Sequence, residues 1–416
     1  MKPARTVYVV GGACTPFLGR AHPDFISPRQ DGRNPTLEEH LHGAIRAVFA
    51  LTGVQAGQIE KGYVGNFLGE CFSRQGHLGA MAVAADPGLS GRPFARIEAA
   101  CASGGLAITA GIDSLQAGWD VVLAVGAEVE TNVRGREGVD YMARAAHYAT
   151  ERPLSAFTFP HLFGRRSWAY KEAHGDAFQA NARVVEKAHR NARSNPLALM
   201  QTSATTLADA AHASALNAAF LEDARYRPHL RMLDCTQFTD GAAAVILATA
   251  RGLEKLGIPV VRCTEIVSYG HTVRALGAAV DPTRLDNLGD AAATAYRDAG
   301  LEPSAIQLAE VHDCFSIAEL QCMEALGLCG PGDAGRLLAD GVTERSGRLP
   351  VNPGGGLLGF GHPVGATGVK QVAEVWRQMK GMCGAYQVDR RVHTGVTANI
   401  GGDDRTAVVM VHRDLA

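Results

Sequence analysis

The sequence contains no uninterrupted apolar run close to the roughly 20 residues that a membrane-spanning helix needs. Its first residues, "MKPARTVYVVGG", also lack the layout of a secretory signal peptide. The 40 basic and 42 acidic side chains form no long run of one sign, which argues against binding to nucleic acid or to an anionic membrane. We therefore expect a cytoplasmic protein, without a membrane span, that acts on small molecules.

The nine cysteines include no C-x-x-C pair, which argues against a structural zinc site and against a disulfide framework. Cys71 and His77 stand close together, but two potential ligands without two more nearby do not make a zinc site. We therefore expect reduced thiols and no bound metal.

The chain of 416 residues is 46% hydrophobic and 20% charged, an ordinary globular composition with enough length for two or three domains. The run Arg5–Gly12 is rich in β-branched and aromatic residues, which predicts a buried strand. A helix is predicted to begin after Thr36, which can form a capping box with Glu39, and to end at Gly53. A further strand in "KGYVGNFLG" completes a strand–helix–strand unit, the pattern of α/β proteins.

The same pattern recurs further along the chain. A glycine-rich turn at Cys101–Gly105 leads into an apolar helix that reaches about Ala117, and a strand follows at Val121–Val125. The sequence then becomes polar, with helical patches that end before Pro196, and a buried strand pattern returns at Asp240–Ala250. We interpret the segment in between as a lobe inserted into one α/β unit.

Another glycine-rich turn, "NPGGGLLGFGHPVGATG", precedes the last predicted helix. Lys370, Glu374 and Arg377 lie off the apolar face of that helix, so we expect it to be amphipathic. The apolar face consists of Val369, Val372, Ala373, Trp376 and Met379. Two closing strands are predicted in "VHTGVTANIGGDDRTAVVMVHR".

The repetition of turn, helix and strand predicts two related halves with a site between them. We expect the first half to span residues 1–127 and to continue at 232–262. The inserted domain would span residues 128–231, and the second half residues 263–416.

Four side chains are candidates for chemistry. Cys101 begins a predicted helix, where the partial positive charge of the helix N-terminus favours a nucleophilic thiolate, but a small buried side chain is the alternative. His362 lies in glycine-dense backbone, which suits a catalytic histidine better than one that only caps a turn. In "HDCF", His312 and Cys314 stand two residues apart and would share one face of an extended chain.

The motifs "CASGGLAI", "HDCFS" and "NPGGGLLGFGHPVGATG", in this order and spacing, resemble those of the thiolases, especially the sterol-carrier-protein-type branch. The resemblance extends over nearly the whole chain. It implies an α/β thiolase fold, with two related βαβ-rich halves in a layered α-β-α-β-α arrangement and a partly helical inserted loop domain. It also implies an acyl-CoA C-acyltransferase that cleaves 3-ketoacyl-CoA with coenzyme A, or runs the reverse Claisen condensation, through an acyl-cysteine intermediate.

By this resemblance Cys101 is the nucleophile and His362 accepts its proton. His312 and His362 would donate hydrogen bonds to the enolate oxygen that forms when the carbon–carbon bond breaks. Asn399 stands where most thiolases carry a second catalytic cysteine, so the resemblance assigns the proton relay to Cys314.

The resemblance also implies binding residues. Backbone N–H groups at Cys101 and Gly401 would hold the oxyanion formed when Cys101 is acylated. Ser268 and Phe315 would contact coenzyme A, which is a substrate, and no tightly bound cofactor is implied. Arg165 and Arg166 in the inserted lobe either reach coenzyme A phosphates or form a solvated charge pair.

For the assembly, the resemblance implies a homodimer or homotetramer, possible pairing with a small accessory protein, and a role in lipid and fatty acid metabolism. Two other functions stay open at this point. A condensing enzyme of secondary metabolism would use Cys101 but pass its acyl group to another nucleophile, and a noncatalytic thiolase-like subunit would keep only the fold. Aldolase-like relatives lack the nucleophilic cysteine, so its presence argues against their reaction.

Overall fold

Buried runs of small and β-branched residues form one mixed nine-stranded sheet in the computed structural model, which describes residues 1–27 and 30–416. The strands are β1 (Val7–Cys14), β2 (Lys61–Gly65), β3 (Phe94–Ile97), β4 (Val121–Glu128), β5 (Gly241–Ala248), β6 (Thr264–Val273), β7 (Leu308–Glu310), β8 (Thr394–Gly401) and β9 (Thr406–Asp414). They lie side by side in the order β3-β2-β4-β5-β1-β6-β9-β8-β7. The strand predictions at the start of the chain, after Cys101, after the inserted lobe and at the end of the chain are confirmed.

The α-helices that surround this sheet are α1 (Leu37–Thr52), α2 (Gly69–Phe72), α3 (Leu78–Val83), α4 (Ser103–Gln116), α5 (Gly135–Met142), α6 (Tyr148–Glu151), α7 (Thr158–His174), α8 (Phe178–Ala192), α9 (Leu207–Ala211), α10 (Ala250–Leu256), α11 (Asp286–Ala299), α12 (Ser316–Ala325), α13 (Ala334–Ala339) and α14 (Thr367–Met379). In the described ranges, none of them combines the length and the apolar character that crossing a membrane requires.

Helix α1 begins and ends where the sequence predicts. The Thr36 side chain accepts a hydrogen bond from the Glu39 N–H, and the Glu39 carboxylate accepts one from the Thr36 N–H. Gly53 ends the helix with a φ of 78°, a left-handed conformation that glycine adopts without strain.

The layers of the fold follow from the two faces of β4. Val121, Leu123 and Val125 pack into one core with α1, whereas Val122 and Ala124 face the opposite core, which contains α4 and α14. In the other half of the sheet, α11 covers the outer side of β6 and β9, and α14 packs against β8. Helices α4 and α14 therefore lie between the two halves, which confirms the predicted layered α-β-α-β-α arrangement.

The two halves of the sheet meet where β1 pairs with β6. This contact is short, because only Val7–Val9 and Thr264–Ile266 are in register. The five strands from β3 to β1 form one half, and the four strands from β6 to β7 form the other. The residue boundaries of the three domains stay a prediction.

The inserted segment between β4 and β5 is partly helical, and it corrects one detail of the sequence analysis. The helical patch that was expected to run up to Pro196 is two helices, because Gly175 interrupts it with a φ of 91°. Helix α8 ends at Ala192, and it packs against α9, α12 and α13. The inserted segment therefore rests on the second half of the fold.

Helix α14 corrects a second expectation, because Lys370 and Glu374 on its polar face are as buried as its apolar face, while Arg377 is half-buried. Lys370 and Glu374 have no exposed side-chain area, since α14 lies in the central layer and contacts both halves. The Lys370 ammonium donates to the Glu310 carboxylate at 2.9 Å and to the Gly356 carbonyl oxygen at 3.2 Å. Burial raises the pKa of Glu310 to about 7 even beside this cation. A buried ion pair, and not solvent, thus satisfies the polar face.

We expect Lys370→Met to destabilise the protein by about 3–5 kcal/mol, because it leaves Glu310 in the core without its charge partner. Arg274→Met is the matched control, since Arg274 and Asp290 form an exposed pair of the kind worth at most about 1 kcal/mol. Urea unfolding followed by circular dichroism measures both variants. Equal shifts of the two midpoints would contradict the special role of the buried pair.

Candidate active site

The turn that carries Cys101 lies between β3 and α4 and has an unusual backbone. Ala100 has a φ of 51°, which is left-handed and rare for a residue with a Cβ. Ser103 supports this conformation, because its hydroxyl accepts from the Ala99 N–H at 2.9 Å and donates to the Ala100 carbonyl at 2.6 Å. The strained turn places Cys101 at the start of α4 with only 9% of its surface exposed.

The Cys101 thiol is protonated in the ligand-free protein. Burial raises its pKa to about 12, and the N–H of Gly402, which points at the sulfur, lowers the pKa only in part. The nearby carboxyl groups of Glu130 and Glu128 raise the pKa further. The favourable effect that we expect from the helix N-terminus does not bring the pKa of Cys101 below its usual range, because desolvation is the largest effect on this thiol. Cys101 needs a base in order to react.

His362 has the hydrogen bonds of such a base. The Thr367 hydroxyl donates to the Pro363 carbonyl at 3.1 Å, so its oxygen accepts from Nδ1–H of His362 at 2.6 Å. Nε2 then carries the lone pair, and it is buried without a hydrogen-bond partner among the residues that the structure describes. Burial, with a smaller contribution from Lys370, lowers the pKa of His362 to about 3. The imidazole is therefore neutral, and the lone pair of its Nε2 is free of other hydrogen bonds in the described structure.

The structure brings Cys101, His312 and His362 together. The Cys101 sulfur and one ring nitrogen of each histidine all lie within 4.8 Å of one another. The two imidazole rings are nearly perpendicular, with centroids 5.0 Å apart. One thiol and two imidazoles are also ligands of the kind that bind zinc. The expected absence of a metal stays a prediction.

Cys314 is the second thiol of the site. It is buried, and burial raises its pKa well above the usual range, with the charge of a Cys101 thiolate as the next contribution. A negative charge on the Cys101 sulfur would therefore hold the proton on Cys314 more tightly. The Thr236 N–H donates to the Cys314 carbonyl at 3.1 Å, which ties this segment to the chain just after the inserted lobe.

Gly401 lies at the end of β8, directly against the Cys101 turn. A Cβ at Gly401 would collide with the Ala99 carbonyl oxygen, so this position has room only for glycine. The N–H that reaches the Cys101 sulfur belongs to the next residue, Gly402, whose φ is 67°. Gly401 thus lies beside the Cys101 turn. Its role as an oxyanion donor stays a prediction.

The two predicted coenzyme A contacts have different surroundings. Phe315 follows Cys314, and its ring stacks on Phe163 of α7 with centroids 4.3 Å apart. Ser268 is fully buried in β6, and its hydroxyl donates to the Ala295 carbonyl of α11 at 2.6 Å. The structure therefore does not bring Ser268 to the site.

Arg166 of the inserted lobe differs from the expectation, whereas the role of the partly exposed Arg165 stays a prediction. Arg166 has no exposed side-chain area and pairs with the buried Asp403, and Arg165 reaches the same carboxylate at 3.2 Å. Arg166 also donates to the Arg284 carbonyl at 2.9 Å. The Arg166 guanidinium is neither a phosphate ligand nor a solvated charge, because it links α7 to the segment after β8 through Asp403.

Close backbone packing explains the glycines near both catalytic loops. A Cβ at Gly104 would lie 2.8 Å from the Gly365 carbonyl oxygen, and a Cβ at Gly368 would collide with the Gly105 nitrogen. The N-termini of α4 and α14 therefore touch backbone to backbone. This contact brings the Cys101 turn and the His362 loop together.

Glu128 and Glu130, which were not among the predicted site residues, hold the His362 loop. The Glu130 carboxylate accepts from the N–H of Val364 at 3.0 Å, and Glu128 accepts from the N–H of Gly365 at 3.2 Å. Glu128 also accepts from Phe67 at 2.8 Å, and burial raises its pKa to about 7. Two acidic residues in "AEVE", at the end of a fully buried strand, were the signal in the sequence.

An apolar cluster packs against one side of Cys101. Phe67, Ala145 and Val364 are buried around it, and Met142 and Phe159 pack against this cluster. Met142 and Phe159 belong to the inserted segment, so that segment forms part of the wall around the nucleophile.

Comparison with known proteins identifies the family. The model "Thiolase, N-terminal domain" matches residues 7–161, and "Thiolase C-terminal domain-like" matches residues 268–414. The chain is 38% identical over 361 residues to the acetyl-CoA acetyltransferase of Methanothermobacter thermautotrophicus strain Delta H, which covers 86% of this chain and 90% of that protein. It is 32% identical over 327 residues to rabbit (Oryctolagus cuniculus) sterol carrier protein 2, covering 74% of this chain and 57% of that protein.

A solved structure shows the same fold. Human mitochondrial 3-ketoacyl-CoA thiolase in complex with CoA matches with a TM-score of 0.73 and 17% identity, and the match covers 100% of both chains. This likeness supports the fold, whereas the closer sequence relatives support the family and its chemistry.

Burial raises the pKa of Cys101 to about 12. As long as the pH is below that value, each increase of one pH unit should therefore raise the thiolate fraction about tenfold. We expect alkylation of Cys101 by iodoacetamide to accelerate about tenfold per unit from about pH 7 to pH 9, without a plateau. Mass spectrometry of the Cys101 peptide gives the rate, and Cys101→Ser shows the background. A rate that levels off below about pH 8 would mean that a thiolate already exists in the resting site.

The nucleophile at a strained turn, the neutral base and the second thiol agree with the matches over both parts of the chain. The chain therefore belongs to the thiolase family, in the sterol-carrier-protein-type branch, and is an acyltransferase of the thiolase type.

Proposed function

We propose that Cys101, His312, Cys314 and His362 carry out the coenzyme A-dependent cleavage of a 3-ketoacyl-CoA, or the reverse condensation. The observation that carries this proposal is the convergence of the Cys101 sulfur and one ring nitrogen of each histidine within 4.8 Å of one another. A negative charge on Cys101 raises the pKa of Cys314, which supports a part for the second thiol in the same site. The names of the relatives support coenzyme A esters as the substrates.

In the first half-reaction, the Cys101 thiol gives its proton to Nε2 of His362, and the sulfur bonds to the keto carbon of the substrate. The N–H groups of Cys101 and Gly401 hold the resulting oxyanion. The carbon–carbon bond then breaks, and its electrons form the enolate of acetyl-CoA. His312 and the protonated His362 donate hydrogen bonds to the enolate oxygen while the acyl group stays on Cys101.

Cys314 completes this half-reaction by giving its proton to the enolate carbon, so that acetyl-CoA leaves. A thiol whose pKa is raised by burial suits this step, because it keeps its proton until a strongly basic carbanion is next to it. In the second half-reaction, an incoming CoA thiol returns a proton to the Cys314 thiolate. The CoA sulfur attacks the acyl carbon, and the Cys101 sulfur leaves and recovers its proton from His362.

The apolar wall around Cys101 supports an acyl group without charge near the thioester. From the family resemblance we also propose a homodimer or homotetramer, a small accessory protein as a further partner, a cytoplasmic location and a role in lipid and fatty acid metabolism. Phe315 keeps its proposed contact with coenzyme A through its place beside Cys314. The two alternatives, a condensing enzyme and a noncatalytic subunit, have no observation in their favour.

We expect incubation with acetyl-CoA to add one acetyl group to Cys101, which mass spectrometry of the intact and digested protein detects. Cys101→Ala should abolish the adduct and the turnover of acetoacetyl-CoA. Cys329→Ala, which changes a half-buried cysteine that lies in another core, is the control and should keep both. An active Cys101→Ala variant, or a wild-type protein without an adduct, would sink the proposal.

Cys314→Ala should leave acetylation of Cys101 nearly intact but slow the carbon–carbon step by about 10²–10⁴-fold, because the proton relay is missing. The same variant should lose the exchange of acetyl-CoA methyl hydrogens for deuterium in heavy water, which is measured by mass spectrometry. Cys329→Ala again serves as the control. If exchange persists in Cys314→Ala, another group must move this proton.

A further inference from the structure

Asn399 occupies the place where most thiolases carry a catalytic thiol, and its side chain touches both the nucleophile turn and His312. It is buried at 2% exposure, at the end of β8. The Gly105 N–H donates to its Oδ1 at 3.1 Å, and its Nδ2 donates to the Cys101 carbonyl at 3.0 Å. Because a backbone N–H can only donate and a carbonyl can only accept, these two bonds determine which end of the amide is oxygen and which is nitrogen.

The remaining N–H of this amide points at His312. Nδ2 of Asn399 lies 3.1 Å from Nδ1 of His312. Since Nδ2 can only donate, Nδ1 must accept, and the hydrogen of a neutral imidazole must then be on Nε2. Burial, followed by the charges of His362 and Lys370, lowers the pKa of His312 well below the usual range, so the ring is neutral. A protonated ring would set two donors face to face.

His362 has the opposite arrangement. Its Nδ1 donates to Thr367, so its Nε2 carries a lone pair. Two neutral imidazoles with ring centroids 5.0 Å apart therefore lie near the same sulfur in opposite tautomers, with the hydrogen on Nδ1 in His362 and on Nε2 in His312. Each of them receives its tautomer from a neighbour that cannot titrate near neutral pH.

We propose that Asn399 is a positioning residue that locks His312 in the Nε2–H tautomer, so that His312 always presents a hydrogen-bond donor to the enolate oxygen. The proposal rests on the function proposed above and assigns to Asn399 a role other than the proton transfer of the thiol that it replaces. Asn399 also joins the Cys101 turn to His312 through one amide, so that the nucleophile and the donor keep their spacing.

The first test is a direct measurement on the wild-type protein. Long-range 1H–15N NMR spectra of protein labelled on histidine nitrogen distinguish the two neutral tautomers, and His312→Asn identifies the signals. We expect His312 to carry its hydrogen on Nε2 and His362 to carry it on Nδ1. A His312 signal of the Nδ1–H type would overturn the proposal, whatever the variants do.

The second test reverses the hydrogen bond. Asn399→Asp has nearly the same shape but offers only acceptors, so that His312 turns its N–H towards position 399 and its lone pair towards the substrate. We expect kcat for condensation to fall about 10²–10³-fold, the usual cost of losing one oxyanion donor, with little change in KM. The tautomer of His312 should change in the NMR spectrum.

A double-mutant cycle separates this role from a structural one. In the His312→Asn background, where the donor is the amide that most thiolases carry at this position, Asn399→Asp should cost less than about threefold in kcat. Losses that multiply in the two backgrounds would show that Asn399 only supports the fold, and would overturn the proposal.

Asn195→Asp is the matched control for the exchange of a buried amide for a carboxyl group. Asn195 donates to the Gly354 carbonyl at 3.0 Å and accepts from the Leu197 N–H at 3.1 Å, and neither bond involves the two histidines. Asn195→Asp should change the free energy of unfolding. It should change neither the His312 tautomer nor kcat in a way that depends on the residue at position 312. Acetylation of Cys101 in the wild-type protein tests the proposed function separately, so failure of the Asn399 proposal leaves that result unchanged.

Discussion

The backbone contact between the N-termini of α4 and α14 is the constraint on which the site depends. Gly104 and Gly368 permit this contact, because a Cβ at either position would strike the backbone of the other loop. The contact brings the Cys101 sulfur from one half and a ring nitrogen of His362 from the other within 4.8 Å of each other. Glu128 and Glu130 then hold the His362 loop through its backbone N–H groups, so the geometry does not depend on the substrate.

Burial determines the charge state of the site. Desolvation keeps the two thiols protonated and the two imidazoles neutral, so the ligand-free site holds reactive groups without charged ones. Charge appears only when a substrate brings an electrophilic carbon, and it then develops in an apolar pocket where fixed donors act strongly. The hydrogen bonds of Thr367 and Asn399 give the two histidines different functions in the same environment.

The sequence predicted the parts of this molecule that local chemistry decides. The capping box of α1, the strands and the catalytic motifs were readable, since each depends on neighbouring residues or on a known pattern. The buried polar face of α14, the left-handed Ala100 and the pairing of Arg166 with Asp403 were not, because each depends on a partner distant in sequence. Ser268 shows the same limit, because the face of β6 that it occupies depends on packing against α11, which the sequence around Ser268 does not reveal.

The short pairing of β1 with β6 joins two halves that each hold an incomplete set of reactive groups. Cys101 belongs to one half. His362, His312 and Cys314, for which we propose the roles of base, hydrogen-bond donor and proton relay, belong to the other. A substitution that shifts the surface of one half where it faces the other therefore also changes the distance between Cys101 and the reactive groups of the other half. Selection for activity thus acts on the two facing surfaces together. The hydrophobic cores behind them are freer to accept substitutions of similar volume.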